Sequence, residues 1–319
     1  MNGHRNEAQE IETEVTQRLL VAEGVVQLSL RTVSGEPFPP WTPGAHIDVY
    51  LADLVRQYSL CGDSSDLTTL DIAVLRAPES RGGSEAVHRL QMSDRVRIGV
   101  PRNNFELVSA PEYVFVAGGI GITPILAMLR RLAHSDIPWR LVYGGRSRAS
   151  MAFGKDLEER YGNRILIRPQ DEVGLLDLAA DLGPARADVA VYCCGPEPLL
   201  QAVERYCRDW PAGSLHVERF ATKTASTTSV TASFEIELAR SGHTLTVPAD
   251  RSVLDVLCGA GIDVDYSCME GVCGTCETAV LCGEPEHRDA LLSAEERAQN
   301  DVMLVCVSRS RTPRLILDL

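Results

Sequence analysis

Four cysteines near the C-terminus constrain this chain more than any other feature. Cys268, Cys273 and Cys276 have the spacing C-x4-C-x2-C, and Cys306 follows after 29 intervening residues. This is the plant-type arrangement of ligands for a [2Fe–2S] cluster. Glycines within the loop let the backbone turn tightly and direct N–H groups at sulfur. The spacing therefore predicts an iron–sulfur centre and a role in electron transfer.

Zinc binding and disulfide formation are the two alternatives for such a quartet. Structural zinc sites usually present two Cys-x2-Cys pairs, and no second cysteine stands near Cys306 to complete one. Disulfides are typical of secreted proteins, whereas residues 1–10 are polar and lack the apolar core of a secretory signal. We therefore expect a cluster, a cytoplasmic location, and small core residues at the remaining six of the 10 cysteines.

Charge and hydropathy exclude several classes of partner. The 319-residue chain has a formal net charge of −13, so neither nucleic acid nor an anionic membrane is an expected partner. Its most apolar window, residues 113–129, is interrupted by glycines and Pro124 and runs into two arginines. We expect this window to form a strand, a turn and a helix rather than a membrane span.

The pattern of apolar segments predicts a multidomain α/β plus β protein with three modules. Short β-like segments at 25–32, 45–51, 70–77 and 95–100 predict an antiparallel barrel in residues 1–108. Strands alternate with helices in residues 109–222, which predicts a doubly wound, mostly parallel sheet. Small and hydroxyl-bearing residues predict a linker at 223–231. The pattern of residues 232–319 predicts a β-grasp sheet in which a strand at 302–307 carries Cys306. Length and linker are compatible with a monomer.

Two segments of the first module suit a flavin mononucleotide. The guanidinium of Arg56 suits its phosphate, Tyr58 its ring or ribityl chain, and Ser59 the region of the flavin N5 edge, with Gln57 between them. An ordinary exposed strand end is the alternative for so short a motif. A second turn, which leads into a predicted helix, offers backbone N–H groups to an anion. Its residues are Arg81, Gly82, Gly83 and Ser84.

A glycine-rich turn in the second module suits the pyrophosphate of a dinucleotide. It follows the strand predicted at 113–117 and precedes a helix that Pro124 can begin. The turn lacks the G-x-G-x-x-G fingerprint, so a purely structural tight turn remains the alternative. The residues expected to contact the nucleotide are Gly119, Gly121 and Thr123.

A second nucleotide segment ends another strand of the same predicted sheet. Cys194, Gly195 and Pro196 stand at the sheet edge where ligands bind in such folds. Cys194 is therefore expected beside the nicotinamide. The alternative for this residue is an ordinary buried core cysteine.

Taken in order, these motifs resemble the phthalate dioxygenase reductase family within the larger ferredoxin–NADP reductase-like group. They are Arg56-x-Tyr58-Ser59, the turn at 118–124, Cys194-Gly195-Pro196 and the cysteine quartet. The resemblance covers essentially the whole chain. It implies FMN rather than FAD in the barrel, a nicotinamide domain, and a C-terminal ferredoxin that passes single electrons to a terminal oxygenase.

The resemblance also implies roles for residues that the motifs alone do not single out. The backbone of Ala73, Val74 and Leu75 is expected to line the flavin. Phe220 is expected near the isoalloxazine, where it occupies or gates the nicotinamide site; a hydrophobic anchor at a domain edge is the alternative. Ser59, Cys194 and Phe220 are the expected catalytic positions, although the cofactors hold the chemistry.

The sequence constrains the choice of nucleotide and of electron acceptor less strongly than it constrains the cofactors. Arg146 and Arg148 stand where the adenosine ribose is expected, and two guanidinium groups favour a 2′-phosphate, so NADPH stays possible beside the family default, NADH. A Rieske-type ring-hydroxylating or O-demethylating oxygenase is the expected partner. A cytochrome P450 remains an alternative because self-sufficient P450 fusions keep similar modules. A redox sensor would be reduced once without turnover, and a zinc-stabilised binding module would be colourless.

Overall fold

The structure is a computed structural model that describes residues 10–52, 54–77, 82–220 and 232–319. Its described residues form two compact units, and the division falls between Glu218 and Arg219. The first unit contains two sheets, and the second contains the cysteine quartet. Arg81 and the predicted linker at 223–231 lie outside the described residues. The three predicted domain boundaries therefore stay a prediction.

Six antiparallel strands form the first sheet. They are β1 (Ile11–Ala22), β2 (Val25–Thr32), β3 (His46–Leu51), β4 (Leu54–Ser59), β5 (Leu70–Leu75) and β6 (Arg95–Ile98). Their order is β4-β3-β6-β1-β2-β5. A bridge between Leu60, directly after β4, and Ile72 of β5 brings the edge strands together. The sheet therefore closes on an apolar interior, which confirms the predicted barrel.

The longest strand of this barrel, β1, is not among the strands that the sequence pattern predicts. Thr13 occupies a fully buried position on it and donates its hydroxyl hydrogen to the Val96 carbonyl oxygen at 2.7 Å. A polar residue at an inward position interrupts the apolar alternation from which strands are predicted. The hydrogen bond satisfies the buried hydroxyl, so a threonine is tolerated at this inward position of the strand.

Five parallel strands form the second sheet. They are β7 (Glu112–Gly118), β8 (Trp139–Gly145), β9 (Ile165–Pro169), β10 (Val189–Cys194) and β11 (Leu215–Glu218), in the order β11-β10-β7-β8-β9. The intervening helices are α2 (Ile122–Leu132), α3 (Gly154–Tyr161), α4 (Gln170–Val173), α5 (Leu178–Leu182) and α6 (Glu197–Tyr206). The strand order changes direction between β7 and β10, which is where ligands bind in doubly wound sheets. The predicted α/β module is confirmed.

The barrel and the parallel sheet share contacts within the first unit. Helix α1 (Gly83–Arg89) packs on the barrel core through Val87. The backbone N–H of Val108 donates to the hydroxyl of Tyr192 at 2.7 Å, and that hydroxyl donates to the Glu106 carbonyl oxygen at 2.8 Å. These bonds attach the segment that leaves the barrel to strand β10.

The second unit contains a small mixed sheet. Its strands are β12 (Phe234–Leu238), β13 (Thr244–Val247), β14 (Glu277–Cys282), β16 (Val302–Leu304) and β18 (Arg314–Leu317), in the order β13-β12-β18-β14-β16; β15 (Pro285–Glu286) pairs with β17 (Arg309–Ser310). Helix α7 (Val253–Gly259) buries Leu254 and Leu257 against the sheet. Helix α8 (Ala294–Gln299) begins at a capping box of Ser293 and Glu296. This arrangement confirms the predicted β-grasp fold.

One predicted strand of this unit is wrong in extent. Strand β16 ends at Leu304, and Cys306 lies in the turn that follows rather than in a strand over 302–307. The N–H groups of Val307 and Ser308 both donate to the Leu304 carbonyl oxygen, at 3.2 and 3.0 Å. These turn bonds replace the ladder bonds that a longer strand would need.

Within the described ranges, no helix combines the length and apolar character that crossing a bilayer requires.

Candidate functional site

The four predicted ligand cysteines come together in the second unit as two pairs. All four side chains are buried, and none forms a disulfide. The thiol of Cys268 donates to Cys273 and lowers the pKa of Cys273. The thiol of Cys306 likewise donates to Cys276 and lowers its pKa.

Backbone N–H groups surround these sulfurs. The N–H of Glu270 points at the Cys268 sulfur at 3.3 Å, and the N–H of Thr275 points at the Cys273 sulfur at 3.4 Å. The loop achieves this by left-handed backbone conformations, with φ of 68° at Gly271 and 78° at Gly274. Glycine adopts such angles without steric cost, which explains its place between the cysteines.

The donor set of this site is four buried cysteine sulfurs arranged in two pairs. A [2Fe–2S] cluster needs four thiolates, and N–H groups directed at sulfur tune its potential. The donor set and its surroundings therefore suit the cluster.

The segment that follows strand β15 supports the cysteine loop. The N–H of Ala290 donates to the Gly271 carbonyl oxygen at 2.9 Å. Next to it, the buried Asp289 carboxylate accepts from the N–H of Leu292 at 2.8 Å and from Arg297 at 3.3 Å. The sequence indicates only a structural turn at 287–289, because the partners of Asp289 follow it by several residues and have no motif.

On the barrel, the two predicted phosphate-binding segments lie against each other. A side chain at Gly83 would overlap the Cγ atom of Arg56, and one at Gly82 would press on Leu54. Gly82 has a φ of 91° and immediately precedes α1. The sequence places Arg56 and the 82–84 turn far apart, and the fold brings them together. Of the four predicted residues in that turn, Arg81 is outside the described residues.

The rest of the Arg56 strand is fixed by buried groups. Gln57 donates to the Asp48 carboxylate at 3.0 Å, and Arg102 donates to the same oxygen at 2.7 Å. Tyr58 is partly buried against the barrel core, and Ser59 is buried opposite His46. Burial, with Arg102 nearby, lowers the pKa of His46 to about 4, so this imidazole is neutral at pH 7.

The third predicted flavin segment ends strand β5. Ala73 and Val74 are buried, whereas Leu75 is partly exposed. A ring nitrogen of His88 lies 2.9 Å from the Val74 carbonyl oxygen, which joins α1 to this strand. Phe220, the remaining predicted flavin contact, is 43% exposed and belongs to the second compact unit.

The predicted nucleotide turn and the Cys194 segment meet at the switch point of the parallel sheet. A side chain at Gly121 would overlap the carbonyl oxygen of Cys194, and one at Gly195 would overlap Gly118. Gly119 has a φ of 53° with open space where a side chain would stand. Thr123 is buried and donates to the Ile120 carbonyl oxygen at 3.0 Å. Close approach of the two strand ends explains Gly121 and Gly195, whereas the positive φ of Gly119 is what favours glycine there.

Cys194 is fully buried at the end of β10 and faces Glu218 at the end of β11. Its sulfur lies 3.8 Å from a Glu218 carboxylate oxygen. Burial raises the pKa of Glu218 to about 8, and burial together with Glu218 raises the pKa of Cys194 well above its usual value. Cys194 is therefore a neutral thiol and not a thiolate nucleophile. The sequence motifs assign no role to Glu218, because its partner Cys194 is 24 residues away along the chain.

The two arginines at the end of β8 differ in their surroundings. Arg148 lies 3.0 Å from the Glu172 carboxylate and 3.5 Å from the Glu158 carboxylate. Arg146 is exposed, and its carbonyl oxygen accepts from the N–H of Asp171 at 3.1 Å. The positive charge of Arg148 is thus already balanced, a feature that the sequence does not reveal.

Two family profiles match the chain. The "2Fe-2S iron-sulfur cluster binding domain" matches residues 236–311, and the "Oxidoreductase NAD-binding domain" matches residues 115–205. These ranges coincide with the cysteine-bearing sheet and with the parallel sheet.

Relatives are similar over nearly their whole length. The chain is 42% identical to "Phenoxybenzoate dioxygenase subunit beta" of Ectopseudomonas oleovorans, covering 93% of this chain and 94% of that protein. It is 38% identical to "Phthalate 4,5-dioxygenase oxygenase reductase subunit" of Pseudomonas putida, covering 94% of each.

Solved structures share the fold. Phthalate dioxygenase reductase superimposes with a TM-score of 0.75 at 34% identity, covering 99% of both chains. An intact type IV self-sufficient cytochrome P450 monooxygenase superimposes with a TM-score of 0.88 at 41% identity, and this chain spans 97% of its own length but only 41% of that longer chain. The chain belongs to the phthalate dioxygenase reductase family of NAD(P)H-dependent oxidoreductases, which use FMN and a [2Fe–2S] cluster.

Proposed function

We propose that this chain is the reductase component that delivers electrons from NADH to a Rieske-type ring-hydroxylating or O-demethylating oxygenase. The observation that carries the proposal is the arrangement of four buried thiols in two pairs, downstream of a flavin-type barrel and a nucleotide-type sheet. Such a cluster passes electrons one at a time, as an oxygenase centre accepts them. Relatives of similar extent carry names such as "Carnitine monooxygenase reductase subunit" and "Vanillate O-demethylase oxidoreductase".

The barrel residues are proposed to bind and orient FMN, which when bound accepts a hydride and releases single electrons. The phosphate would be held by Arg56 and by the turn Gly82, Gly83 and Ser84, because the two segments lie side by side. Tyr58 and the backbone of 73–75 would contact the ring system. Ser59 would stand near N5, and Gln57 would keep this strand in place through Asp48.

The parallel sheet is proposed to hold the nucleotide at its switch point. The N–H groups of Gly119, Gly121 and Thr123 begin a helix, where a pyrophosphate is favoured. Cys194, Gly195 and Pro196 would orient the nicotinamide end. Phe220 would cover the flavin face that the nicotinamide uses.

The surroundings of Arg148 support NADH over NADPH. Its guanidinium is shared by the carboxylates of Glu158 and Glu172. A 2′-phosphate at this position would have to displace one carboxylate and would face the other at close range. Ribose hydroxyls, by contrast, can donate to a carboxylate, as in NAD-specific sites. Arg146 alone would remain for a phosphate.

A cytochrome P450 is the second candidate for the electron acceptor. It is favoured by one observation, the TM-score of 0.88 to the corresponding part of a self-sufficient P450 monooxygenase. The ferredoxin fold serves both kinds of acceptor, so the surface that docks the partner decides between them.

The test compares the two acceptors directly. NADH-reduced protein is mixed anaerobically with the oxygenase component of a phthalate dioxygenase or with a substrate-bound P450 haem domain under carbon monoxide. We expect the Rieske centre to bleach at a rate that saturates with oxygenase concentration, and the carbon monoxide complex of the P450 to form much more slowly. The reverse order of rates would contradict the Rieske assignment. Failure to reduce either acceptor, or cytochrome c, would contradict the reductase function.

A further inference from the structure

A cleft of about 520 Å³ opens in the first unit at the edge of the parallel sheet opposite to the nucleotide turn. It is bordered by the last turns of α2 and α3, by the segment that enters β9, and by the loop after barrel strand β4. The nucleotide turn lies at the other end of α2, at the C-terminal ends of the strands. The lining residues are Asp63, Arg130, Ala133, His134, Arg160, Tyr161 and Arg164.

Three of these residues are arginines. Among the described residues, no carboxylate oxygen lies within 4 Å of the guanidinium of Arg130, Arg160 or Arg164. Two other arginines of this module, by contrast, are paired, with Arg168 at 3.4 Å from Asp181 and Arg186 at 2.8 Å from Glu112. Guanidinium groups that share one cleft repel each other, so an anion placed among them would be attracted by all three.

Asp63, the single carboxylate of the cleft, does not supply that neutralisation. Its Oδ1 atom accepts from the N–H of Ser65 at 2.9 Å and from the Ser65 hydroxyl at 2.7 Å. These bonds, with smaller contributions from Arg130 and His134, lower the pKa of Asp63. Three guanidinium charges against one carboxylate leave the cleft with a net positive charge at pH 7.

Aromatic rings hold two of the guanidinium groups in place. Arg164 lies over the ring of Trp139 at 5.2 Å, and Arg160 lies over the ring of Tyr161 at 5.9 Å. The two rings pack edge to face with centroids 5.1 Å apart. Because Trp139 is buried at the start of β8, the ring beneath Arg164 is held in place by the core. Arginines fixed before binding lose less conformational freedom when an anion arrives.

We propose that this cleft binds a small anion that carries more than one phosphate group. The cleft has the volume of a small-molecule site. Its three guanidinium groups come from three different segments, and the tetrahedral oxygens of linked phosphates can accept from several directions, whereas a planar carboxylate accepts mainly along one edge. This binding site is distinct from the nucleotide site of the proposed function and does not depend on it.

The test uses inorganic pyrophosphate as the probe and the full-length holoprotein. Calorimetric titrations are run at constant ionic strength with saturating NAD⁺, so that the nucleotide turn is occupied. We expect saturable binding of one pyrophosphate per chain. The double variant Arg130→Gln/Arg164→Gln is expected to bind at least about tenfold more weakly, the loss of one or more charge-assisted hydrogen bonds. Its KM for NADH should be unchanged.

The matched control is Arg131→Gln, which removes the same charge from the exposed neighbour of Arg130 outside the cleft lining. It should bind pyrophosphate as the unmodified protein does. Binding that does not saturate, or that Arg131→Gln weakens as much as the double variant, would overturn the site. Citrate bound as tightly as pyrophosphate would overturn the assignment to phosphate. If the double variant unfolds, Arg164→Lys, which keeps the charge but loses the planar fork, must still weaken binding.

Discussion

The thiol of Cys194 and the carboxylate of Glu218 face each other across the ends of two neighbouring parallel strands. The two residues are register partners in β10 and β11, and the sulfur lies 3.8 Å from the nearer carboxylate oxygen. Burial raises the pKa of Glu218 to about 8 and that of Cys194 further above its usual value. The pair is therefore mostly uncharged at neutral pH, at the sheet edge proposed for the nicotinamide.

This pair should make folding stability depend on pH. An unfolded glutamate has a pKa of about 4.3, so between about pH 4.5 and pH 8 the folded state holds a proton that the unfolded state releases. The free energy of unfolding therefore falls as pH rises through this window. Glu218→Gln removes this pH-dependent contribution to the free energy of unfolding. The Tm of the variant minus the Tm of the unmodified protein should therefore increase from pH 5 to pH 8. Glu12→Gln, at an exposed site on β1, is the control. A Tm difference that is constant with pH would contradict the assignment.

The cysteine pairs predict which thiols the cluster needs. Cys273→Ser should remove most of the bound iron and most of the visible absorption of the cluster, because a serine hydroxyl ionises far less readily than a thiol and is a poorer ligand for iron. Cytochrome c reduction by NADH should fall at least about tenfold, while ferricyanide, which can take electrons from the flavin, should still be reduced. Cys282→Ser changes an exposed cysteine of the same unit and should retain both iron and activity. Full iron content in Cys273→Ser would refute the ligand role.

Nucleotide preference should respond to Glu172. Glu172→Gln removes one of the two carboxylates that share Arg148 and leaves its guanidinium available to a 2′-phosphate. The ratio of kcat/KM for NADPH to that for NADH should rise by about tenfold, the equivalent of about 1.4 kcal/mol of changed electrostatic interaction. Glu159→Gln, which removes an exposed partner of Lys155, should leave the ratio unchanged. An unchanged ratio in Glu172→Gln would place the ribose elsewhere.

Two glycines of the nucleotide turn should differ in what they tolerate. Gly121 has an ordinary φ of −62°, but a side chain there would overlap the Cys194 carbonyl oxygen. Gly121→Ala should therefore destabilise the first unit by about 2–3 kcal/mol and raise KM for NADH. Gly119→Ala meets open space and suffers only from its φ of 53°, at a cost of about 1 kcal/mol. Urea unfolding measures the stability of both variants. An equal loss in the free energy of unfolding for the two would contradict the explanation by close approach of the strand ends.

Much of the fold and of the candidate site was predictable because the residues that indicate them lie in short continuous segments. The cluster-binding loop places three cysteines within nine residues, so the spacing alone indicates the cofactor. The central strands β7 and β10 are continuous apolar runs, which a parallel sheet covered on both faces requires. Strand β1 and the turn that carries Cys306 were not predictable in this way. Each depends on hydrogen bonds to distant or local backbone groups rather than on an apolar pattern.

The order of the modules, the cofactors and the family all follow from the amino-acid sequence. The side chains that face one another become known only from the fold: Gly83 against Arg56, Glu218 against Cys194, and Glu172 against Arg148. These partners are separated by 24 residues or more along the chain. Local spacing specifies the ligands of a compact loop, but the surroundings of a charge are set by the packing of strand ends, which brings distant segments into contact.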